Sequence, residues 1–277
     1  MKTILVPTDF SPTADNAISF AAELNKIMNC EIVLFHAYEV PMPITDVPTI
    51  PSDAEFRDSA ESTLSDIAEK FKKLFPATKF NKEIAMGHSN DEIIRMEDKS
   101  HCDMVVMGSY GDDMIHHLVA GKHISSVITR SACPVLVIPG NVSFQQMNKI
   151  MFAVNFGADD YINCLQVIDF AKVYGSEITI LHVISNETGR RHQQVQIEKF
   201  KERIIEQSGY TNIKIQIVES EHVFEGINTY LEKSNADLLV IGMRKQSLLN
   251  RIFNRSLTKK LAYHGHIPLM VLHTALE

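Results

Sequence analysis

Apolar residues occur along this chain in short runs that are separated by longer stretches of mixed polarity. Runs of Ile, Val, Leu and Met at 3–6, 31–37 and 104–107 are typical of strands that are buried in a parallel sheet. The longer stretches between such runs are predicted to be helices. Because strands and helices alternate, the pattern predicts βαβ units, with one parallel sheet covered by helices on both faces.

The first half contains five such strands, at 3–6, 31–37, 80–85, 104–107 and 135–138. A helix is predicted to start at Ser11-Pro12, with Ser as the cap and Pro in the first turn. A longer helix runs over about 53–75, where Pro76 ends it. A third begins at Ser89, where Ser89-x-x-Glu92 fits a capping box. A fourth is expected over about 122–130.

The second half repeats the first. Residues 4–10 (ILVPTDF) recur at 150–156 (IMFAVNF), and 31–36 recur at 177–182, both at an offset of 146. Residues 103–108 recur at 237–242, and 134–137 at 268–271, now at an offset of 134. Twelve residues are thus missing, and the proline-rich stretch 38–51 is the obvious place for the loss. A fixed repeat of this size predicts a tandem duplication, with domains at 1–144 and 145–277.

The elements of the second half follow from the same pattern. Strands are expected at 149–153, 177–183, 213–218, 238–241 and 269–272, and helices at about 160–174, 189–208 and 223–234. The strands at 135–138 and 269–272 are apolar and come last in their domains. Because an exposed apolar edge is a liability that pairing removes, we expect the two domains to pair through these strands within the chain. Two chains are then expected to associate as a homodimer.

A glycine-spaced segment follows the strand at 104–107. Gly108-x2-Gly111-x9-Gly121 leads to the helix predicted from Lys122. Free backbone N–H groups and the dipole at a helix N-terminus favour an anion there. Ligands of doubly wound sheets bind beyond the carboxyl ends of strands, where the winding reverses. Asp9 and Ala37 lie at such strand ends, as does Gly108. We therefore expect a nucleotide phosphate as the ligand.

Composition and charge exclude several classes of function. Hydrophobic content of 45% with 22% charged residues is that of a globular protein. No apolar run approaches the roughly 20 residues of a membrane helix. The apolar stretch at the start of the chain is too short for the apolar core of a signal peptide. We therefore expect a cytoplasmic location without a membrane partner. Residues 1–144 carry 12 Lys and Arg against 20 Asp and Glu, and the remainder 15 against 14. This balance does not favour nucleic acid as a partner.

No metal site and no catalytic site are predicted. The four cysteines lack CxxC spacing and are expected to be reduced and mostly buried. His116, His117 and His123 cluster, but they lack the paired spacings that zinc sites show. His36 and His182 end equivalent strands, and each is expected to pack in the core with one hydrogen bond. Walker, G-x-S-x-G and HExxH motifs are absent from the sequence, so we predict a binding module and not an enzyme.

Taken together, these motifs resemble the universal stress protein family in its tandem two-domain form. The resemblance rests on LVPTDFS at 5–11, LFH at 34–36, the glycine spacing and CPVLVI at 133–138, and it covers nearly the whole chain. It implies two tandem doubly wound α/β domains, each with a five-stranded parallel sheet of Rossmann-like, adenine nucleotide α-hydrolase-like fold. Many members bind ATP, whereas another subgroup lacks the glycine motif and binds none.

The resemblance also implies roles for individual residues. Asp9 matches the acid that hydrogen-bonds the ribose, and Ala37 and Met107 match positions that line the adenine pocket. The three loop glycines match Gly108, Gly111 and Gly121. From the residues alone, other interpretations remain open. The glycines also suit tight turns without a ligand, and Asp9 also suits the start of a helix.

Departures from the family pattern concentrate in the phosphate loop. Lys122 stands where the family has Ser or Thr, and Tyr110 where a basic residue is frequent. Lys122 is either a phosphate ligand or a solvated residue of the first helical turn. Asp112 and Asp113 add two negative charges, which suit either a Mg²⁺ ion that accompanies ATP or a solvated loop.

The second domain has lost the glycine pattern. Lys245 and Arg255 replace the second and third glycines, and Asn155 replaces the acid. We therefore expect that this domain does not bind ATP in the family's manner. Its basic segment is either a solvated surface or a site for a smaller anion near Arg244 and Ser256.

The sequence thus predicts a stress-response module that binds ATP or another adenine nucleotide in its first domain. A structural or interaction protein that binds no nucleotide is the alternative, and a slow ATPase is a third reading.

Overall fold

A computed structural model of the chain describes residues 2–40, 52–109, 117–185, 190–244, 261 and 266–274. The chain divides into two compact units, Met1–Phe144 and Gln145–Glu277. Each unit is an α/β domain with a parallel sheet. No helix in the described ranges is both long and apolar enough to cross a membrane.

Strands and helices alternate throughout the first unit. In chain order they are β1 (Thr3–Pro7), α1 (Pro12–Met28), β2 (Glu31–Tyr38), α2 (Asp53–Leu74), β3 (Lys79–Met86), α3 (Ser89–Ser100), β4 (Met104–Ser109), α4 (His117–Arg130) and β5 (Val135–Pro139). These bounds confirm the predicted elements to within two residues, except at the start of α4. That helix begins at His117, five residues before the predicted start.

The strand order of the first unit is β3-β2-β1-β4-β5, with parallel pairing throughout. Leu5 pairs with Val33 of β2 and with Val105 of β4, which makes β1 a central strand. The chain winds from β1 outward to β2 and β3, and then returns to the other side of β1 as β4 and β5. Because these crossovers run in opposite directions, they place helices on both faces of the sheet. The winding reverses between β1 and β4.

Apolar side chains of the central strands and the facing helices form the core of this unit. Ile4, Leu5 and Val6 of β1 are fully buried, as are Leu34 of β2 and Leu24 of α1. Burial of a side chain of this size contributes about 1.5–3 kcal/mol. The same central strands therefore stabilise the unit and hold the carboxyl ends of β1 and β4 in position.

The start of α1 confirms the prediction, whereas the predicted cap of α3 is wrong. Ser11 caps α1, accepting a hydrogen bond from the Ala14 N–H (3.2 Å), and Pro12 is the first helical residue. In α3 the cap is His88, without a side-chain hydrogen bond, so Ser89 is already helical. The preceding Gly87 has φ 144°, a conformation that favours glycine.

A capping box is present instead at α2. The Ser52 Oγ accepts a hydrogen bond from the Glu55 N–H (3.4 Å), and Glu55 Oε2 accepts one from the Ser52 N–H (2.6 Å). The sequence Ser52-x-x-Glu55 carried the signal for this box.

The second unit repeats the architecture. Its elements are β6 (Lys149–Ala153), α5 (Ala158–Tyr174), β7 (Glu177–Ile184), α6 (Arg190–Ser208), β8 (Ile213–Glu219), α7 (Val223–Ser234), β9 (Leu238–Arg244) and β10 (Leu269–Thr274). The strand order is β10-β9-β6-β7-β8, again parallel, so the winding reverses between β6 and β9. The predicted elements of this half are confirmed to within three residues.

Candidate functional site

The turn between β1 and α1 brings Asp9 to the surface at the carboxyl end of the central strand. The Thr8 N–H donates to the Phe35 carbonyl (2.8 Å), which extends the pairing of β1 with β2 by one residue. Asp9 Oδ1 accepts a hydrogen bond from the Ser11 N–H (3.0 Å), and Thr8 Oγ1 accepts one from the Phe10 N–H (3.0 Å). Asp9 is exposed.

An aromatic stack holds this turn in place. Phe10 has φ 68°, a left-handed conformation that is uncommon for a side chain of this size. Its ring stacks on His36, with the ring centroids 4.0 Å apart and the planes at 23°. His36 Nδ1 lies 2.8 Å from the Thr8 carbonyl oxygen, which only accepts, so Nδ1 carries the proton. The predicted hydrogen bond of His36 is confirmed, but its side chain is half-buried and not packed in the core, and the stack with Phe10 was not predicted.

The strands on either side of β1 also contribute to this edge: β2 contributes the small residue Ala37, and β4 contributes Gly108, at which α1 approaches the strand closely. Ala37 is half-buried near the end of β2, and Met107 is buried in β4. A Cβ atom at Gly108 would lie 2.5 Å from the Thr13 carbonyl oxygen and 2.7 Å from Thr13 Cγ2. The first turn of α1 therefore packs directly on the end of β4. Gly108 is required for this packing, whether or not a ligand binds beside it.

The phosphate segment is only partly within the described residues. Gly111, Tyr110, Asp112 and Asp113 lie outside them. Gly121 and Lys122 belong to α4, which begins at His117. The predicted helix start at Lys122 is therefore wrong, because glycine was taken as the end of the loop. A glycine inside a helix costs only about 1 kcal/mol, and here the helix continues through it.

The second unit repeats the turn but adds a buried carboxylate. Asn155 Oδ1 accepts a hydrogen bond from the Gly157 N–H (3.0 Å), as Asp9 does from Ser11. Asp160 Oδ2 accepts hydrogen bonds from the Asn155 N–H (3.0 Å) and the Gly157 N–H (2.9 Å). The residue equivalent to Asp160 in the first unit is Ala14. In this unit the Asn155 and Gly157 N–H groups are thus bonded to a buried carboxylate, whereas in the first unit the exposed Asp9 carboxylate takes the Ser11 N–H.

Two further polar side chains lie at the same edge of the second unit. Asn163 is buried, and a Cβ atom at Gly242 would collide with its Nδ2. The Thr274 Oγ1 donates to Asn163 Oδ1 (3.4 Å). The equivalent residues in the first unit are Ala17 and Gly140. We call Asp160, Asn163 and Thr274 the polar cluster of the second unit.

The pKa values of two neighbouring groups reflect this environment. Burial, followed by the nearby Asp160 carboxylate, raises the pKa of the Cys164 thiol to about 12. Burial lowers the pKa of His182, and the hydrogen bond between its Nδ1 and the Val154 carbonyl oxygen (2.9 Å) acts in the opposite direction. His182 is therefore neutral at pH 7, and its predicted single hydrogen bond is confirmed. Its ring also lies 4.6 Å from that of Phe156, which is left-handed like Phe10.

The predicted anion site of the second unit lies largely outside the described residues. Arg244 is the last residue of β9, with only its backbone described, and Ser256 is outside the described ranges. Within those ranges, no group of three or more His, Cys, Asp or Glu side chains is arranged to hold a metal ion.

Comparison with known proteins identifies the family. The model of the universal stress protein family matches residues 1–139 and again residues 147–273. The chain therefore belongs to the universal stress protein family and carries two of its domains in tandem, as the sequence motifs predicted.

Individual relatives agree with this assignment. The chain is 28% identical over 152 residues to a universal stress protein of Methanocaldococcus jannaschii, an alignment that covers 50% of this chain and 94% of that protein. It is 32% identical over 143 residues to a universal stress protein of Synechocystis, covering 50% of this chain and 85% of that protein. The crystal structure of a universal stress protein from Archaeoglobus fulgidus superposes with a TM-score of 0.75 at 19% identity, covering 99% of this chain and 96% of that one. This last likeness supports the fold.

Proposed function

We propose that the chain is a stress-response module that binds one adenine nucleotide, with ATP the first candidate, in its first unit. The strand order is the observation that carries this proposal. The winding reverses between β1 and β4, which is the position at which doubly wound sheets bind their ligands. Asp9 follows β1 at this position, and Met107 and Gly108 are near the end of β4.

Each residue of the site then has a role that its chemistry allows. The Asp9 carboxylate accepts hydrogen bonds from the ribose hydroxyls. Ala37, which is small and half-buried, leaves room for the adenine ring beside Met107. The glycine segment with Gly111 and Gly121 is proposed to take the phosphates. Because α4 begins at His117, the free N–H groups are those of its first turn, and Gly121 and Lys122 follow in the second turn, from which the Lys122 side chain supplies a positive charge. Bound ATP would bring Mg²⁺, whose charge offsets the two acids Asp112 and Asp113.

The second unit is proposed to bind no nucleotide in this manner. Its polar cluster fills the edge at which the first unit has Ala14, Ala17 and Gly140. The Asp160 carboxylate would also repel a phosphate. We retain the proposal that a smaller anion binds near Arg244 and Ser256, supported by the basic residues of that segment.

A structural or interaction protein without a nucleotide remains the competing function. One observation favours it, since the packing of Thr13 on Gly108 explains that glycine without any ligand. The two functions predict different responses to ATP. A nucleotide at 100 times its dissociation constant stabilises the folded state by about 2.7 kcal/mol, whereas a protein that binds none is unaffected.

A matched pair of variants tests the proposal. Asp9→Ala removes the ribose ligand, and Asn155→Ala makes the equivalent change in the second unit. Hydrogen bonds to charged groups contribute about 1.5–3 kcal/mol, so Asp9→Ala should weaken ATP binding about 10- to 100-fold, while Asn155→Ala leaves it unchanged. Calorimetric titration of the full chain with ATP, ADP and AMP, with and without Mg²⁺, measures both effects. If wild-type protein binds none of them at millimolar concentration, the competing function is correct.

A further inference from the structure

Two cysteine sulfurs meet at the end of the first sheet opposite to the proposed nucleotide site. Cys102 lies between α3 and β4, and Cys133 lies between α4 and β5. Their Sγ atoms are 3.5 Å apart. Because β4 and β5 are paired neighbours, with Val105 opposite Val135, the segments that precede them run side by side.

The backbone around Cys133 is held by a buried carboxylate. Glu97, near the end of α3, is 4% exposed, and its Oε1 accepts hydrogen bonds from the Ala132 N–H (2.6 Å) and the Cys133 N–H (2.8 Å). The Ser131 hydroxyl donates to the Cys133 carbonyl (2.9 Å). The Cys133 backbone is therefore held in place, and a bond to Cys102 requires the 3.5 Å between the two sulfurs to close by about 1.5 Å.

The two thiols differ in access to solvent. Cys102 is buried, whereas Cys133 is partly exposed. The contact with Cys102, followed by burial and by the Glu97 carboxylate, raises the pKa of the Cys133 thiol. The Cys133 thiol is therefore protonated at neutral pH, and its slow oxidation is expected, since the thiolate is the reactive form.

We propose that Cys102 and Cys133 form an oxidation site, at which a hydroperoxide converts the two thiols into one intramolecular disulfide. The Cys133 sulfur, as thiolate, attacks the O–O bond of hydrogen peroxide and becomes a sulfenic acid, and the hydroxide that leaves is protonated to water. The Cys102 sulfur then attacks the Cys133 sulfur, the S–O bond breaks, and a second water leaves. Two thiols supply two electrons and two protons, and one peroxide becomes two waters. A dithiol reductant reverses the change.

The alternative is that the pair is a packing contact with no chemistry. Buried cysteines often behave as small hydrophobic residues, and a sulfur–sulfur hydrogen bond accounts for the 3.5 Å separation. The two accounts differ in what the folded protein does with peroxide, which makes them separable by experiment.

The experiment treats the folded full chain with a small excess of hydrogen peroxide, unfolds it in denaturant with an alkylating agent, and counts the remaining thiols. We expect the four thiols to fall to two, with a tryptic peptide pair that joins Cys102 to Cys133 and that separates on reduction. Cys30→Ala and Cys164→Ala serve as controls and should keep this pair. Cys102→Ala and Cys133→Ala should lose it. Because the bond joins residues 31 apart, the melting temperature of the oxidised chain should rise by about 5–10 °C.

Three outcomes would overturn the proposal. The first is a wild-type chain that keeps four thiols until it is unfolded. The second is Cys133 found as sulfinic acid while Cys102 remains a thiol. The third is a disulfide that joins two chains or that involves Cys30 or Cys164. Mapping of the wild-type chain alone distinguishes these outcomes, so the test does not depend on the folding of any variant.

Discussion

At the scale of single residues, Gly108 is required by packing and not by its backbone conformation. A Cβ atom there would lie 2.5 Å from the Thr13 carbonyl oxygen, a backbone atom that cannot move without shifting α1. We expect Gly108→Ala to lower the free energy of unfolding by about 1–3 kcal/mol, the usual cost of overpacking. Urea denaturation of the nucleotide-free chain measures this loss.

Gly140 provides the matched control. A Cβ atom there would meet Thr13 Oγ1 at 3.3 Å, and this hydroxyl belongs to a side chain that can rotate. Gly140→Ala should therefore cost less than about 1 kcal/mol. Equal losses for the two variants would contradict the close packing of α1 on β4.

The buried His182 should make stability depend on pH. Because burial lowers its pKa in the folded state, the unfolded chain binds a proton more readily. The free energy of unfolding should be highest above the unfolded pKa of about 6.5 and should fall as pH decreases below it. His182→Asn, which keeps a donor for the Val154 carbonyl, should flatten the dependence between pH 5 and 7.5. His222→Asn, at the surface, is the control, and an unchanged pH profile for His182→Asn would contradict this account.

At the scale of elements, the start of α2 depends on its capping box. Ser52→Ala removes a hydrogen bond to the Glu55 N–H and should destabilise the chain by about 1 kcal/mol. Ser89→Ala tests the box that the sequence suggested for α3. Because Ser89 is already helical and makes no cap, its replacement should cost less than about 0.5 kcal/mol. Thermal or chemical unfolding compares the two variants, and a larger loss at Ser89 would reverse the assignment.

Most elements of both sheets could be predicted because their signals are local. Buried strands such as β1 and β4 are continuous apolar runs, and Ser11-Pro12 starts α1 by chemistry that needs no distant partner. The two errors arise where local signals compete. Gly121 suggested a loop but lies inside α4, and the cap of α3 is His88, one residue before the Ser89 that the Ser-x-x-Glu pattern suggested.

The candidate site could be predicted only as far as strand ends are visible in the sequence. Asp9 and Gly108 were predicted at strand ends, and the strand order of the structure makes β1 and β4 neighbours. The stack of Phe10 on His36 and the contact of Asn163 with Gly242 were missed. Such contacts join residues far apart in the chain, and no local pattern encodes them. The recurrence of Phe10 and His36 as Phe156 and His182 was the available signal.

At the scale of the whole molecule, the two domains share a fold but differ in polarity at the edge where the carboxyl ends of their central strands lie. Small residues line this edge in the first unit, whereas the polar cluster occupies it in the second. Both units nevertheless have the equivalent strand order, so this difference in side chains is compatible with the same sheet.

Assembly is a prediction at this scale. The last strands β5 and β10 are apolar, and we expect them to pair the two halves of one chain, and two chains then to associate. Light scattering should therefore give about twice the 31.2 kDa mass of one chain. A monomeric mass would contradict the association of chains, and halves that remain soluble monomers when expressed separately would contradict pairing within the chain.

The most direct test of the whole account is the number of nucleotides that one chain binds. Equilibrium dialysis of the full chain against labelled ATP with Mg²⁺, at concentrations well above the dissociation constant, counts them. The account predicts one nucleotide per chain, with a dissociation constant that rises about 10- to 100-fold in Asp9→Ala and is unchanged in Asn155→Ala. A value of zero would contradict nucleotide binding by the first unit, and a value of two would contradict the proposed difference between the units.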